Sequence, residues 1–213
     1  AIVPNGVDLE DLDQPSSPES APWLSKTRGK RVALFLSRLH AKKGVDRLIQ
    51  AWARVCGDHA DWHLLVVGPD DGLGLEHSVT LAGARHGIEK VQCLQVADAC
   101  VLPSHSEGFS MAVLEAMASR LPVLLTPECN FKQVVESGSG VGITPKSKDI
   151  EEGLRTLFGM TNVERVGMGQ SGRALVESRY TWDRVATQLM SVYNWMVRGG
   201  ATPDSIMVRG RAA

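Results

Sequence analysis

The sequence predicts an α/β fold: a parallel sheet with helices on both faces. Three observations lead there. Arg31–Ser37 (RVALFLS) and Trp62–Gly68 (WHLLVVG) are unbroken apolar runs, as expected of strands covered on both sides. Amphipathic helical segments alternate with such strands along the chain. The 213 residues, 43% hydrophobic and 22% charged, suit one sizeable globular domain of that kind.

In chain order, residues 1–30 read as a domain-entry segment and linker, with Asp11–Ser25, rich in Pro, Ser and acids, expected to be exposed. Arg31–Ser37 is the first strand. Gly44–Gly57 reads as a helix, because Val45, Leu48, Ile49, Trp52 and Val55 share one face. Trp62–Gly68 is the second strand, and Leu73–Gly87 is expected to be a helix. Val91–Gln95 and Ala99–Pro103 both read as strands, yet only a few residues separate them. A parallel crossover needs a dozen residues or more, so either one of the two is not a strand, or they form an irregular hairpin, or a crossover unit has been lost. Phe109–Arg120 reads as a helix and Pro122–Thr126 as a strand. Three helices follow, at Ser147–Met160, Asn162–Arg179 and Thr181–Arg198. The compact domain is thus expected over residues 31–198. The tail, 199–213, lacks periodicity and is expected to be frayed.

Composition narrows the function. A net charge of −1, with cations scattered among acids, lacks the basic face that nucleic-acid binding needs. No run approaches the ~20 apolar residues of a membrane span, and Ala1–Glu10 lacks signal-peptide character. Cys56, Cys93, Cys100 and Cys129 show no CxxC spacing and lie in apolar surroundings, so buried free thiols in a reducing compartment are expected. The six histidines are scattered, and the one pair four residues apart, His59 and His63, straddles the start of an apolar strand run rather than sharing a helix. These features place the chain in the cytoplasm, without a bound metal.

The densest chemistry lies in the segment Pro103-Ser-His-Ser-Glu107-Gly-Phe-Ser-Met-Ala-Val-Leu-Glu115. A strand ends at Pro103, a turn carries Glu107 and Gly108, and a helix begins near Phe109 or Ser110. Loops at the carboxyl ends of strands are where open α/β sheets bind ligands. The free amides of Phe109, Ser110 and Met111 suit an anion, helped by the helix dipole. Gly108 allows close approach of a ligand to the backbone. Glu115 sits beside Ala112, Ala116 and Ser119, where its carboxylate has room to accept two ribose hydroxyls. Taken alone, the two acids favour a plainer reading: a helix-start acid and a solvated surface residue.

Context shifts the balance. Glu107-x7-Glu115, within a PSxSEGF…LEAMA stretch, resembles the signature of family-4 retaining glycosyltransferases, which have the GT-B architecture. Ser37-Arg38-Leu39-His40-Ala41-Lys42-Lys43-Gly44-Val45-Asp46 is similar to their (G/S)RLxxxKG(V/F)D stretch. Asn5-Gly6-Val7-Asp8 resembles the element that opens their C-terminal domain, and Tyr180-Thr181-Trp182 the one that closes it. The four occur in family order.

The resemblance implies a Rossmann-like donor domain, the C-terminal half of a GT-B enzyme, that binds a UDP-, GDP- or ADP-sugar and requires no cofactor. It implies that Arg38 and Lys43 hold the diphosphate, that Glu115 binds the ribose and Glu107 the sugar, and that Gly108, Phe109, Ser110 and Met111 contribute amides. Gly68-Pro69 is a candidate pocket-lining turn, whereas His105 has no matching role. The resemblance further implies an N-terminal acceptor-binding partner domain absent from this chain. Retaining hexosyl transfer is the expected activity of the complete enzyme, with negligible turnover by this half alone. The alternative is a truncated or degenerate module that binds nucleotide without catalysis. A dinucleotide-dependent oxidoreductase is disfavoured, because no GxGxxG follows the first strand.

Overall fold

A computed structural model describes residues 3–18, 21–69 and 78–206. Six parallel strands form one sheet in the order β3-β2-β1-β4-β5-β6. They are β1 (Arg31–Leu36), β2 (Trp62–Val67), β3 (Val79–Gly83), β4 (Ala99–Leu102), β5 (Val123–Leu125) and β6 (Gly140–Gly142). The helices are α1 (Leu9–Leu12), α2 (Val45–Val55), α3 (Gly87–Gln95), α4 (Met111–Ala118), α5 (Gln133–Glu136), α6 (Ser147–Gly159), α7 (Asn162–Arg179) and α8 (Trp182–Arg198). The Rossmann-like α/β expectation is met.

Burial explains the central strands. Every residue of β2, β4 and β5 is buried, as is all of β1 after Arg31. Such strands need covers on both faces, and right-handed crossovers supply them. The strand order runs one way from β1 to β2 and the other way from β4 to β6, which puts α2 and α4 on opposite faces. On one face α2 packs against α6, and on the other α4 packs against α1 and α7. Phe158 of α6 stacks on Trp62 at 4.1 Å between ring centres and meets the edge of Trp52 of α2 at 5.6 Å.

Two expected elements are corrected. Of the expected helix Leu73–Gly87, residues 73–77 lie outside the described residues. From Val79 the chain is instead a strand, pairing Val79 with Leu64 and Leu81 with Val66. The expected strand Val91–Gln95 is the second half of α3, with Val91 and Leu94 buried at helical spacing. The crossover thought to be lost is therefore present: β3 and α3 precede β4. The short connection is the one between Val67 and Val79. Helix α5 and edge strand β6 carry too few residues to show a period.

The expected linker is exposed at many of its described residues, yet it is tied down at several points. Leu12, Ala21 and Leu24 are buried, and Asp13 pairs with Arg173 at 2.7 Å. The Arg85 guanidinium lies 4.0 Å over the Trp23 ring. The opening and closing motifs of the chain meet: the Val7 amide donates to the Tyr180 carbonyl at 2.8 Å, and Gly6 lies against Trp182. Residues 207–213 of the expected tail lie outside the described residues, while Pro203–Ile206 closes a turn. Among the described residues, no helix is long and apolar enough to cross a membrane.

His63, on β2, is buried, with its Nε2 2.8 Å from the Thr80 hydroxyl on β3. Burial pulls its pKa down to about 4. The folded protein thus resists protonating it, so stability present above pH ~6.5 declines as the pH falls toward 4. His63→Gln should flatten this dependence, by an amount on the order of 1–2 kcal/mol between pH 7 and 5. Urea unfolding of both proteins at the two pH values checks it; an unchanged slope would assign the effect to other groups.

Candidate functional site

The strand order reverses between β1 and β4, and a crevice at such a switch point is where open sheets receive ligands. The loops leaving these two strands touch. Gly44 has φ 70°, and a Cβ there would stand 2.2 Å from the Pro103 carbonyl oxygen; only glycine fits so close a left-handed turn. The His105 amide donates to the Lys42 carbonyl at 2.7 Å, which gives His105 a backbone role. Gly68 sits against the Ser37 carbonyl, where a Cβ would come within 1.9 Å.

This clamp brings Lys43 to Glu107, Nζ to Oε1 at 2.6 Å, with side chains only 15% and 10% exposed. The buried Ser104 hydroxyl donates to the same carboxylate oxygen at 2.9 Å. The Glu107 amide donates to the Glu128 carbonyl, and Asn130 Nδ2 donates to the Glu107 carbonyl at 2.5 Å. Glu107 is thus fixed on three sides. Arg38 lies exposed in the same cleft, and no carboxylate pairs with it among the described residues. The cleft, of about 530 Å³, is also lined by Gly108 and Pro69.

Helix α4 starts two residues later than expected. Ser110 is its N-cap, accepting from the Val113 amide at 3.4 Å. The amides of Phe109, Ser110 and Met111 have no acceptor among the described residues. They are open donors at the positive end of the helix. The Phe109 ring turns away to pack on Phe131 and Tyr180.

Glu115 occupies a second cavity, of about 360 Å³, shared with Met111 and Trp182. Its Oε1 lies 2.7 Å from Lys90 Nζ on α3. The structure therefore gathers Arg38, Lys43, Glu107 and Gly108 in one cleft, and Glu115 with Met111 in its own. Sequence reasoning missed Lys90, Ser104 and Asn130. Lys90 fell between the expected helix Leu73–Gly87 and the expected strand Val91–Gln95, although Ile88, Val91 and Leu94 carried a helical spacing. Ser104 and Asn130 act on Glu107 from loops whose folding no local pattern shows.

The buried cysteines offer no nucleophile. Cys93, Cys100 and Cys129 are buried and free, and burial pushes the Cys93 thiol up to about 11 and that of Cys100 to about 12. A thiol held protonated attacks nothing. Among the described residues no cluster of His, Cys, Asp and Glu is placed to hold a metal ion.

Residues 18–174 match the family described as "Glycosyl transferases group 1". The chain belongs to that family. Among its relatives is the D-inositol 3-phosphate glycosyltransferase of Segniliparus rotundus, 29% identical, with the match covering 98% of this chain and 50% of the relative. The phosphatidyl-myo-inositol mannosyltransferase of Mycobacterium leprae is also 29% identical, over 93% of this chain and 54% of that protein. The chain spans about half the length of these curated relatives. The group 1 fold is shared with Anabaena HepE, solved in complex with UDP and glucose: TM-score 0.77, 21% identity, 91% of this chain and 56% of that one. It is shared too with the C-terminal domain of a Francisella tularensis group 1 protein: TM-score 0.70, 24% identity, 83% of this chain and all of that one.

Removing Lys43 would leave a largely buried carboxylate without its cation. Lys43→Met should therefore cost about 1–3 kcal/mol of stability, while adding Glu107→Gln should recover part of the loss. Urea unfolding of the two single variants and the double variant gives the coupling. Strictly additive costs would show that the pair does not interact in solution.

Proposed function

We propose that this chain, through a domain spanning residues 31–198, is the donor-binding half of a family-4-type retaining glycosyltransferase of GT-B architecture. Its donor is a nucleoside diphosphate hexose, with UDP, GDP or ADP as the carrier. The observation that carries this reading is the switch-point cleft, where Arg38 and Lys43 stand beside Gly108 and the open amides that begin α4. Cations and helix amides together suit a diphosphate, and they offset the charge that develops as the nucleoside diphosphate leaves. The HepE complex with UDP supports the same ligand class.

In this reading Lys43 is shared between Glu107 and the diphosphate, and Arg38 closes on the phosphates without first leaving an acid. Glu107, held by Ser104 and Asn130, presents its carboxylate to the hexose. Glu115 accepts the ribose hydroxyls, trading part of its contact with Lys90 for them. The rest of the enzyme binds the acceptor and excludes water. The face it packs on is a stripe along α8: Trp182, Leu189, Met190, Tyr193, Met196 and Val197 are between 37% and 83% exposed on one side of the helix. A continuous apolar stripe of this size marks an interaction surface. We place the protein in the cytoplasm, where its buried thiols stay reduced.

The test is a thermal-shift titration with UDP, GDP and ADP, and with their sugar-linked forms. For a Kd of ~1 mM, about 10 mM ligand should add about 1.4 kcal/mol, a rise of roughly 3–6 °C. A response to one base names the carrier; no response to any would overturn the donor-site reading. Nucleotide binding without turnover when the remaining half is supplied would leave a nucleotide-binding module.

Two variants sharpen the assignment. Glu115→Ala should weaken nucleoside diphosphate binding about ten-fold, and unchanged affinity removes Glu115 from the site. Arg38→Gln should erase most of the preference for diphosphate over monophosphate, measured by calorimetry with UDP and UMP or their purine equivalents.

A further inference from the structure

The cavity of Glu115 has walls from distant parts of the chain. Helices α3 and α4 supply Lys90, Met111 and Glu115, while the entry segment supplies Val7, Leu12 and Gln14. The sheet supports α3 and α4. The entry segment has no such support: its helix, α1, is one turn of four residues, too short to be stable alone. Its position therefore comes from contacts with its neighbours.

Those contacts lie at its two ends. At one end the Val7 amide donates to the Tyr180 carbonyl at 2.8 Å. At the other, Leu12 is buried in the core, and the Gln14 carbonyl accepts from Nε2 of Gln95, the last residue of α3, at 2.8 Å. Between them the Asp13 carboxylate takes two bonds from one guanidinium, Arg173 Nη1 at 2.9 Å and Nη2 at 2.7 Å. A bidentate, charge-assisted contact fixes orientation as well as distance. Arg120 approaches the same carboxylate at 3.4 Å, but from solvent, where such a contact contributes little.

Arg173 is itself firmly held. It is 8% exposed, and its Nε donates to Glu177, one turn further along α7, at 2.7 Å. Its Nη1 also donates to the carbonyl of Ala118, the last residue of α4, at 2.8 Å. One buried side chain thus ties the end of α4 to the end of the entry wall. Packing of α7 on α4 accounts for the Ala118 bond; the two bonds to Asp13 act on the entry segment. Arg173 and Asp13 stand outside the lining of the cavity, whereas both neighbours of Asp13 belong to it.

We propose, resting on the donor-site reading, that Arg173 is a positioning residue for the nucleoside side of the ligand: through Asp13 it fixes the entry segment against α4 and so sets the width of the Glu115 cavity. The diphosphate side, in the cleft of Arg38 and Lys43, is built from other loops and does not depend on it.

Calorimetry on the intact chain tests this, with UDP, GDP, ADP and inorganic pyrophosphate as probes. Asp13→Ala should weaken nucleoside diphosphate binding about ten-fold and leave pyrophosphate binding unchanged. Asp13→Glu keeps the charge and should recover part of the loss. Arg173→Met should match Asp13→Ala; should it fail to fold, Asp13→Ala carries the test, since that side chain is 43% exposed. Hydrogen exchange, which needs no ligand, should quicken in Asp13→Ala at residues 7–14 and stay unchanged in β1 and β2. Equal weakening of pyrophosphate, faster exchange in β1 and β2, or no recovery in Asp13→Glu would mean a general loosening of the fold and overturn the proposal. Nucleoside diphosphate affinity that both variants leave unaltered brings down this proposal alone. A wild-type chain that binds no nucleoside diphosphate brings down the donor-site reading and the proposal with it.

Discussion

The loops leaving β1 and β4 are in backbone contact, and the arrangement of the site depends on that contact. A carbonyl at Pro103 and a left-handed glycine at Gly44 leave no space between them. Lys43, one residue before Gly44, is thereby carried to Glu107, four residues beyond Pro103. Neither side chain has to search for the other, because the close approach of two main chains has done it. The contact is possible only at a switch point, where strands distant in sequence lie side by side and their crossovers depart to opposite faces.

Electrostatically the site consists of two acid–lysine pairs and one unpaired arginine. Lys43–Glu107 and Lys90–Glu115 each bring a carboxylate and an ammonium together in partly desolvated surroundings, where removing one partner costs more than the pair contributes. They hold the acids in place rather than stabilise the fold. Arg38 differs: it is exposed, and its charge is uncommitted among the described residues. An incoming anion would meet Arg38 first and then compete for Lys43.

The two ends of the chain also frame the site. The entry segment is anchored in the core through Leu12 and Leu24, and its Val7 pairs beside Thr181 at the start of α8. Trp182 borders the cavity of Glu115 and begins the apolar stripe of α8. Whatever covers that stripe will therefore lie close to the Glu115 cavity, which links burial of an exposed helix face to closure of a ligand pocket.

Much of this was legible in the sequence. Apolar runs revealed β1 and β2, because strands buried on both faces have no other way to be written. The helical pattern of Asn162–Arg179 matches the observed bounds of α7. The site residues on the β1 and β4 loops stood out through motifs whose spacing is local. Short segments were less legible. Gly87–Gln95 is nine residues of modest apolarity, enough to read as strand or helix, and only the seat of Val91 and Leu94 in the core decided it. The Pro- and Ser-rich entry segment looked solvated because its few anchors, Leu12 and Leu24 among them, are isolated along the chain. By itself the sequence determined which residues must be buried in long elements and which chemistry the loops carry. Only the tertiary structure decided which loops meet, which lysine faces which glutamate, and that Ser104 and Asn130 hold Glu107. Those outcomes depend on contacts between segments far apart in the chain, and no local periodicity encodes them.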